Sequence, residues 1–312
     1  MLFYLRGPVV TPYRIYFFLT LAALFWGGTF VAGRQLAPLL DPLPSAFLRF
    51  LFASILLLGW LLADQRRFPA ATPRQLLALT LLGLTGVFAY NLFFFAGLHS
   101  VEAGRASLII AINPVLIALA SRWFFHEHLG PVRGLGIIVS VVGAVVVIGR
   151  GDLTMLLDSG VGTGEWYLLG CVLSWVAYTL IGKRVLHGMP PLTAVCYSSV
   201  IGMLLLGWMT LMRGGVPVEA LTDPRVWLNL SYLALFGTVL AFVWFYKGVH
   251  ALGPTRAGQF INLVPVAGVC LGAVFLDEPL TWSVVLGGAL VLSGLSLTNR
   301  PRVSSRDVPE QG

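Results

Sequence analysis

Arg49 stands about six residues into a run of apolar side chains, roughly 9 Å along a helix that rises 1.5 Å per residue. A guanidinium at that depth either snorkels to water or forms a fork that takes a carboxylate or phosphate bidentately. Four amides, Asn91, Asn113, Gln259 and Asn262, lie near the middle of other apolar runs. Such amides either tie neighbouring helices together, at about 0.6 kcal/mol per bond, or line a polar cavity. Trp26, Phe30, Tyr90, Trp175, Tyr178 and Trp244 place aromatic faces within or close to the apolar centre, where an interfacial belt does not account for them. Their two readings are plain packing and stacking on a planar or apolar part of a ligand. No Asp or Glu falls in the middle of any run, so a charge in this interior is positive.

The same inventory argues against other chemistries. A membrane-embedded enzyme needs a nucleophile with a base, or a cluster of metal ligands. All five histidines sit at the ends of runs, and His126-Glu127-His128 is too peripheral for a metal site. We expect no catalytic residue, metal or cofactor. A channel would show a filter motif or rings of charge. The three cysteines, all in apolar runs, read as small core side chains. The formal charge of +7 is spread between apolar segments instead of forming a basic, aromatic-studded patch, so nucleic acid is not an expected partner.

Positioning these groups requires helices in a bilayer. At 57% hydrophobic and 11% charged, the chain has too little polar surface for a soluble domain of its length. A spanning helix needs about 20 apolar residues. Ten runs qualify, near 14–37, 43–63, 75–98, 103–124, 131–150, 164–186, 191–212, 227–249, 254–276 and 280–298. Sliding the chain by 151 positions lays Gly86–Val147 on Gly237–Thr298 without a gap, with 15 of 62 positions identical. Among the identities are Gly97 with Gly248, Arg105 with Arg256, Pro114 with Pro265, Glu127 with Glu278, Gly136 with Gly287 and Gly143 with Gly294. The earlier spans match at shifts of 149 and 148, Trp26 falling on Trp175. The expected organisation is therefore a five-helix repeat at 14–150, a second at 164–298 and a disordered cytoplasmic tail at 299–312.

Five spans per repeat is an odd number, so the repeats enter the membrane from opposite sides. With both termini in the cytoplasm, 14 of the 20 Lys and Arg residues fall on that side. Pro114 and Pro265 lack an amide hydrogen and are expected to kink their helices, as static bends or as hinges. Gly136, Gly143, Gly287 and Gly294, seven residues apart in each repeat, fit a close helix seam. Arg105 and Arg256 read most simply as interfacial anchors. Glu127 and Glu278 read as caps of tight turns or as gate elements.

Ten spans in two inverted halves resemble the EamA branch of the drug/metabolite transporter superfamily. The resemblance also rests on Trp26-Gly27-Gly28-Thr29-Phe30, on Phe47-Leu48-Arg49-Phe50, and on Pro114 and Pro265, each followed thirteen residues later by a glutamate. It implies a secondary permease, often an exporter, of small metabolites such as amino acids, nucleosides or sugars in the bacterial inner membrane. The small multidrug-resistance members carry an acidic residue in their first span. This chain has none there, which argues against cation export of that kind. The partners expected are a small neutral, zwitterionic or anionic substrate and the bilayer, and one chain holding both halves can work as a monomer. Flipping of a lipid-linked substrate is the alternative, favoured by a lateral opening between helices.

Overall fold

The structure, a computed structural model, describes residues 12–66, 69–125, 130–152, 161–185, 189–252 and 260–298. Among the described residues all regular elements are helical. In the first half, α1 spans Pro12–Leu36, α2 Pro42–Gln65 and α3 Pro73–Leu98. The expected fourth span is split into α4, Ala103–Ile110, and α5, Asn113–Phe125, and α6 covers Pro131–Ile148. The second half runs through α7 Thr163–Val185, α8 Pro191–Met212, α9 over 224–252, α10 Leu263–Leu276 and α11 Trp282–Thr298. Among the described residues, seven helices are long and apolar enough to cross a membrane. Three shorter apolar helices, Gly134–Ile148, Phe260–Leu276 and Trp282–Thr298, stand where the fifth, ninth and tenth runs were expected. Residues 299–312, Glu127 and Gln259 lie outside the described residues.

Local chemistry starts these helices where the loops predict. α2, α3, α6, α8 and α9 open on a proline, whose missing N–H would have no partner in a first turn. Thr72 and Gln75 complete a capping box ahead of α3. The long apolar side chains do not all turn inward: Ile55, Leu77, Ile138, Leu173, Leu204 and Val274 are exposed, as a lipid-facing surface requires. Lipid tails are as apolar as leucine, so helix contacts must come from close packing.

One such contact joins α6 to α11. A Cβ on Gly136 would lie 2.6 Å from the Gly294 carbonyl oxygen, and one on Gly143 would lie 2.7 Å from that of Gly287. Under the shift of 151 residues each contact becomes the other. The two helices therefore cross antiparallel and self-complementary, which is the geometry of an inverted repeat.

Irregular backbone also repeats. A π-helical segment, Gly83–Ala89, interrupts α3, and another, Tyr232–Leu240, interrupts α9. Shifted by 151, the first falls on 234–240, inside the second. The break between α4 and α5, at Ala111 and Ile112, matches the 3₁₀ turn Phe260–Asn262 before α10 to within a residue or two. Pro114 and Pro265 stand just after these interruptions, so the bend expected of each proline falls in the turn ahead of it. They are the second residue of α5 and the third of α10, where a backbone N–H has no intrahelical acceptor to lose.

Candidate functional site

The π-helical segments and helix breaks converge on a cavity of about 370 Å³ between the two halves. Its wall is built largely from repeat-equivalent pairs: Trp26 and Trp175, Gly86 and Gly237, Ile110 and Ile261, Pro114 and Pro265. Two glycines let the halves approach. A Cβ on Gly86 would overlap the Tyr178 ring, 2.2 Å from its Cδ2, and one on Gly237 would lie 2.5 Å from Thr29 Cγ2. Thr29 and Tyr178 are themselves equivalent at the shift of 149, so one close approach is made twice with side chains of different size.

Shape is shared between the halves, whereas charge is not. Arg49 is 7% exposed and is, among the described residues, the one formally charged side chain of the wall. At the shift of 148 that its span follows, its counterpart is Tyr197, which carries no positive charge. Arg49 Nη1 donates to Asn91 Oδ1 at 3.0 Å, while Nε and Nη2 both donate to Thr238 Oγ1, at 3.4 and 3.3 Å. The guanidinium carbon lies 5.5 Å from the ring centre of Phe50 and 5.9 Å from that of Phe94, within cation–π range. These acceptors are neutral, so among the described residues the cation is solvated by dipoles and rings and is not balanced by a carboxylate.

The π-helical carbonyls orient both acceptors. Asn91 Nδ2 donates to the Val87 carbonyl at 2.8 Å, which turns its oxygen toward Arg49. Thr238 donates its hydroxyl hydrogen to the Leu233 carbonyl, five residues back, at 2.9 Å. Val87 and Thr238 are repeat equivalents, so the same wide turn serves one holder of Arg49 in each half. π-Helical turns are frequent at functional sites.

The aromatic residues surround the rest of the cavity. Tyr90, Trp175 and Tyr178 form a continuous arc, with successive ring centres 5.2 Å apart. Trp26 rests against Phe242 and Phe245, and its indole N–H donates to the Gly237 carbonyl at 3.1 Å. Phe30 packs on Phe94 at 5.3 Å. Asn113 lies in the wall, and its Oδ1 is buried without a hydrogen-bond partner among the described residues.

Of the residues singled out from sequence, Trp26, Phe30, Arg49, Tyr90, Asn91, Asn113, Pro114, Trp175, Tyr178 and Pro265 line one cavity. Trp244 does not: it packs on Phe18 and Phe25, with ring centres 4.9 and 5.5 Å away. Asn262 sits in the 3₁₀ turn beside the wall residue Ile261. Thr238, Ser198 and Ser199 were missed. Hydroxyls in these helices carry little signal, because most bond the carbonyl one turn back, as Thr20, Thr80, Thr85 and Thr179 do.

A polar cluster stands at the start of α4, one turn from the cavity-lining Ser107. The Ala103 and Gly104 N–H groups, at the start of α4, donate to the two carboxylate oxygens of Glu278, at 2.6 and 2.8 Å. The carboxylate lies in a notch at Gly272, where a Cβ would meet Oε2 at 2.5 Å. Arg105 is no interfacial anchor. It is 4% exposed, pairs with Glu165 of α7 at 3.1 Å and caps α6 through the carbonyls of Val147 and Ile148 at 3.2 Å. One turn further in, Ser107 lines the cavity and donates to the Gly104 and Pro265 carbonyls.

Known proteins share this architecture. The uncharacterized transporter YyaM of Bacillus subtilis is 26% identical over 300 residues, covering 96% of this chain and 98% of its own. An uncharacterized transporter of Archaeoglobus fulgidus is 27% identical over 287 residues, 91% of this chain and 97% of its own. A crystal structure of 18% sequence identity superposes with a TM-score of 0.65 over 92% of this chain and 98% of its own, which shows the fold. The model of the EamA-like transporter family matches twice, at residues 13–149 and 162–300, one match to each inverted half. With two matches that together take in nearly the whole sequence, the chain belongs to the EamA-like transporter family and is a multi-pass membrane protein.

Proposed function

We propose that the protein is a permease that moves small anionic or zwitterionic metabolites by alternating access around the central cavity, in the outward direction. The observation that carries this reading is Arg49, a buried cation in the wall of a cavity between two inverted halves, with neutral acceptors as its hydrogen-bond partners. A guanidinium in such a place is matched by a carboxylate or phosphate. Asn113 Oδ1 supplies an unmet acceptor for an N–H or O–H of the cargo, and the aromatic arc suits a planar or apolar portion. A volume of about 370 Å³ suits a metabolite of amino-acid or nucleoside size.

The excess of Lys and Arg on one side supports a bacterial inner-membrane protein with both termini in the cytoplasm. The cluster at Glu278 then closes the outer end. Rocking of one half against the other about the α6–α11 seam is the motion that the repeat suits. The test is uptake by proteoliposomes, using pooled radiolabelled amino acids, nucleosides and sugars with and without a pH gradient. Saturable flux of acidic or zwitterionic compounds that Arg49→Ala abolishes is the expected result. Absence of flux from every pool, in vesicles where a control permease works, would overturn the proposal.

A further inference from the structure

Arg49 offers its Nε/Nη2 edge to one atom, Thr238 Oγ1, at 3.4 and 3.3 Å, the long end of hydrogen bonding. That edge is shaped to meet two oxygens of a planar anion in parallel bonds of about 2.8 Å. One hydroxyl straddling both donors satisfies them poorly. It cannot move closer freely, because its own hydrogen is committed to the Leu233 carbonyl of the π-helical turn. The opposite side of the guanidinium has the shorter bond, to Asn91.

We propose that Thr238 is a placeholder: its hydroxyl marks the position of a substrate carboxylate oxygen, and substrate binding displaces it from Arg49 while Asn91 keeps its hold. The substrate class is a carboxylate. The inference rests on the permease reading above and assigns Thr238 a specificity role. Thr238 belongs to the second half and Arg49 to the first, so binding exchanges a bridge between the halves for a bridge through the cargo. The empty carrier is thereby held together at the site by two weak bonds that only an anion replaces. A neutral isostere gains nothing from the exchange.

The test is equilibrium binding of radiolabelled phenylacetate and its neutral isostere phenylacetamide to purified protein in nanodiscs. Thr238→Val removes the competing hydroxyl with little change of volume. It is expected to tighten phenylacetate about fivefold and leave phenylacetamide unchanged, while Thr238→Ser binds both probes as the parent does. Phenylacetate binding that is weaker or unchanged in a Thr238→Val protein of parental melting temperature overturns the placeholder. If Thr238→Val does not fold, the Thr238→Ala protein is read by the same criterion, and failure of both to fold also overturns it. Parental binding of phenylacetate that survives Arg49→Ala, or no binding at all, removes the anion-binding reading of the cavity as well. Selective binding that needs Arg49 but ignores Thr238 sinks only the placeholder.

Discussion

The Ser140 hydroxyl donates a 3.0 Å hydrogen bond to the carbonyl of Val291, and the two residues are the same position of the repeat, 151 residues apart. A residue can face its own equivalent only where a two-fold axis passes between them. The glycines on either side, Gly136 opposite Gly294 and Gly143 opposite Gly287, are arranged about that point. The axis that relates the halves thus runs through the α6–α11 seam, and the cavity, walled by equivalent pairs, is built about the same relation.

The seam predicts a steep local sensitivity. A Cβ on Gly143 would lie 2.7 Å from both the Gly287 carbonyl and the Val291 nitrogen, backbone atoms that cannot rotate away. Gly143→Ala should cost about 1–3 kcal/mol through overpacking. Gly134→Ala, in the same helix but with nothing within 4 Å of the new methyl, should leave stability unchanged or slightly raised. Thermal unfolding in detergent measures both, and equal effects would refute the seam.

Arg105 and Glu165 predict a coupled pair. Removing either partner strands a charge that is 4 to 8% exposed, at a cost of about 3–5 kcal/mol. Arg105→Met with Glu165→Leu should recover most of that loss. Additive single-variant effects in a double-mutant cycle would show that the pair does not act as a unit.

Glu278 predicts a change in access. In Glu278→Gln one oxygen gives way to an amide nitrogen that cannot accept from the start of α4. The loss of a charge-assisted cap of about 1.4 kcal/mol corresponds to roughly tenfold in an opening equilibrium. A cysteine at Ser107, with the three native cysteines replaced, should then react about tenfold faster with a membrane-impermeant thiol reagent added from the Glu278 side. Unchanged labelling would mean that this contact does not keep the end closed.

The sequence made the repeat and most of the cavity wall legible, because a shared shift holds Arg105, Pro114 and Glu127 in register with their partners where apolar composition alone could not. Helix phase was harder. Trp244 and Phe242 are two residues apart, about 200° around a helix, so they point to opposite sides. The sequence favours the tryptophan for its polar edge, yet Phe242 is the one in the wall. Asn262, one residue beyond Ile261 in the 3₁₀ turn, is displaced by about 120° in the same way. The π-helical turns in α3 and α9 left no mark either, because the bilayer demands apolar side chains of a π-helical turn and an α-helix alike, whereas Pro114 and Pro265 do mark the interruptions just ahead of them. Arg105 misled because depth was counted along its own helix, and the cover comes from α6 and α7 instead.

Arg49 has no cationic counterpart in the second half, where Tyr197 takes its place. A cargo turned end for end inside this symmetric shell does not find its charge partner again. On the proposed permease function the passenger keeps one heading, and the end that leads on entry also leads on exit.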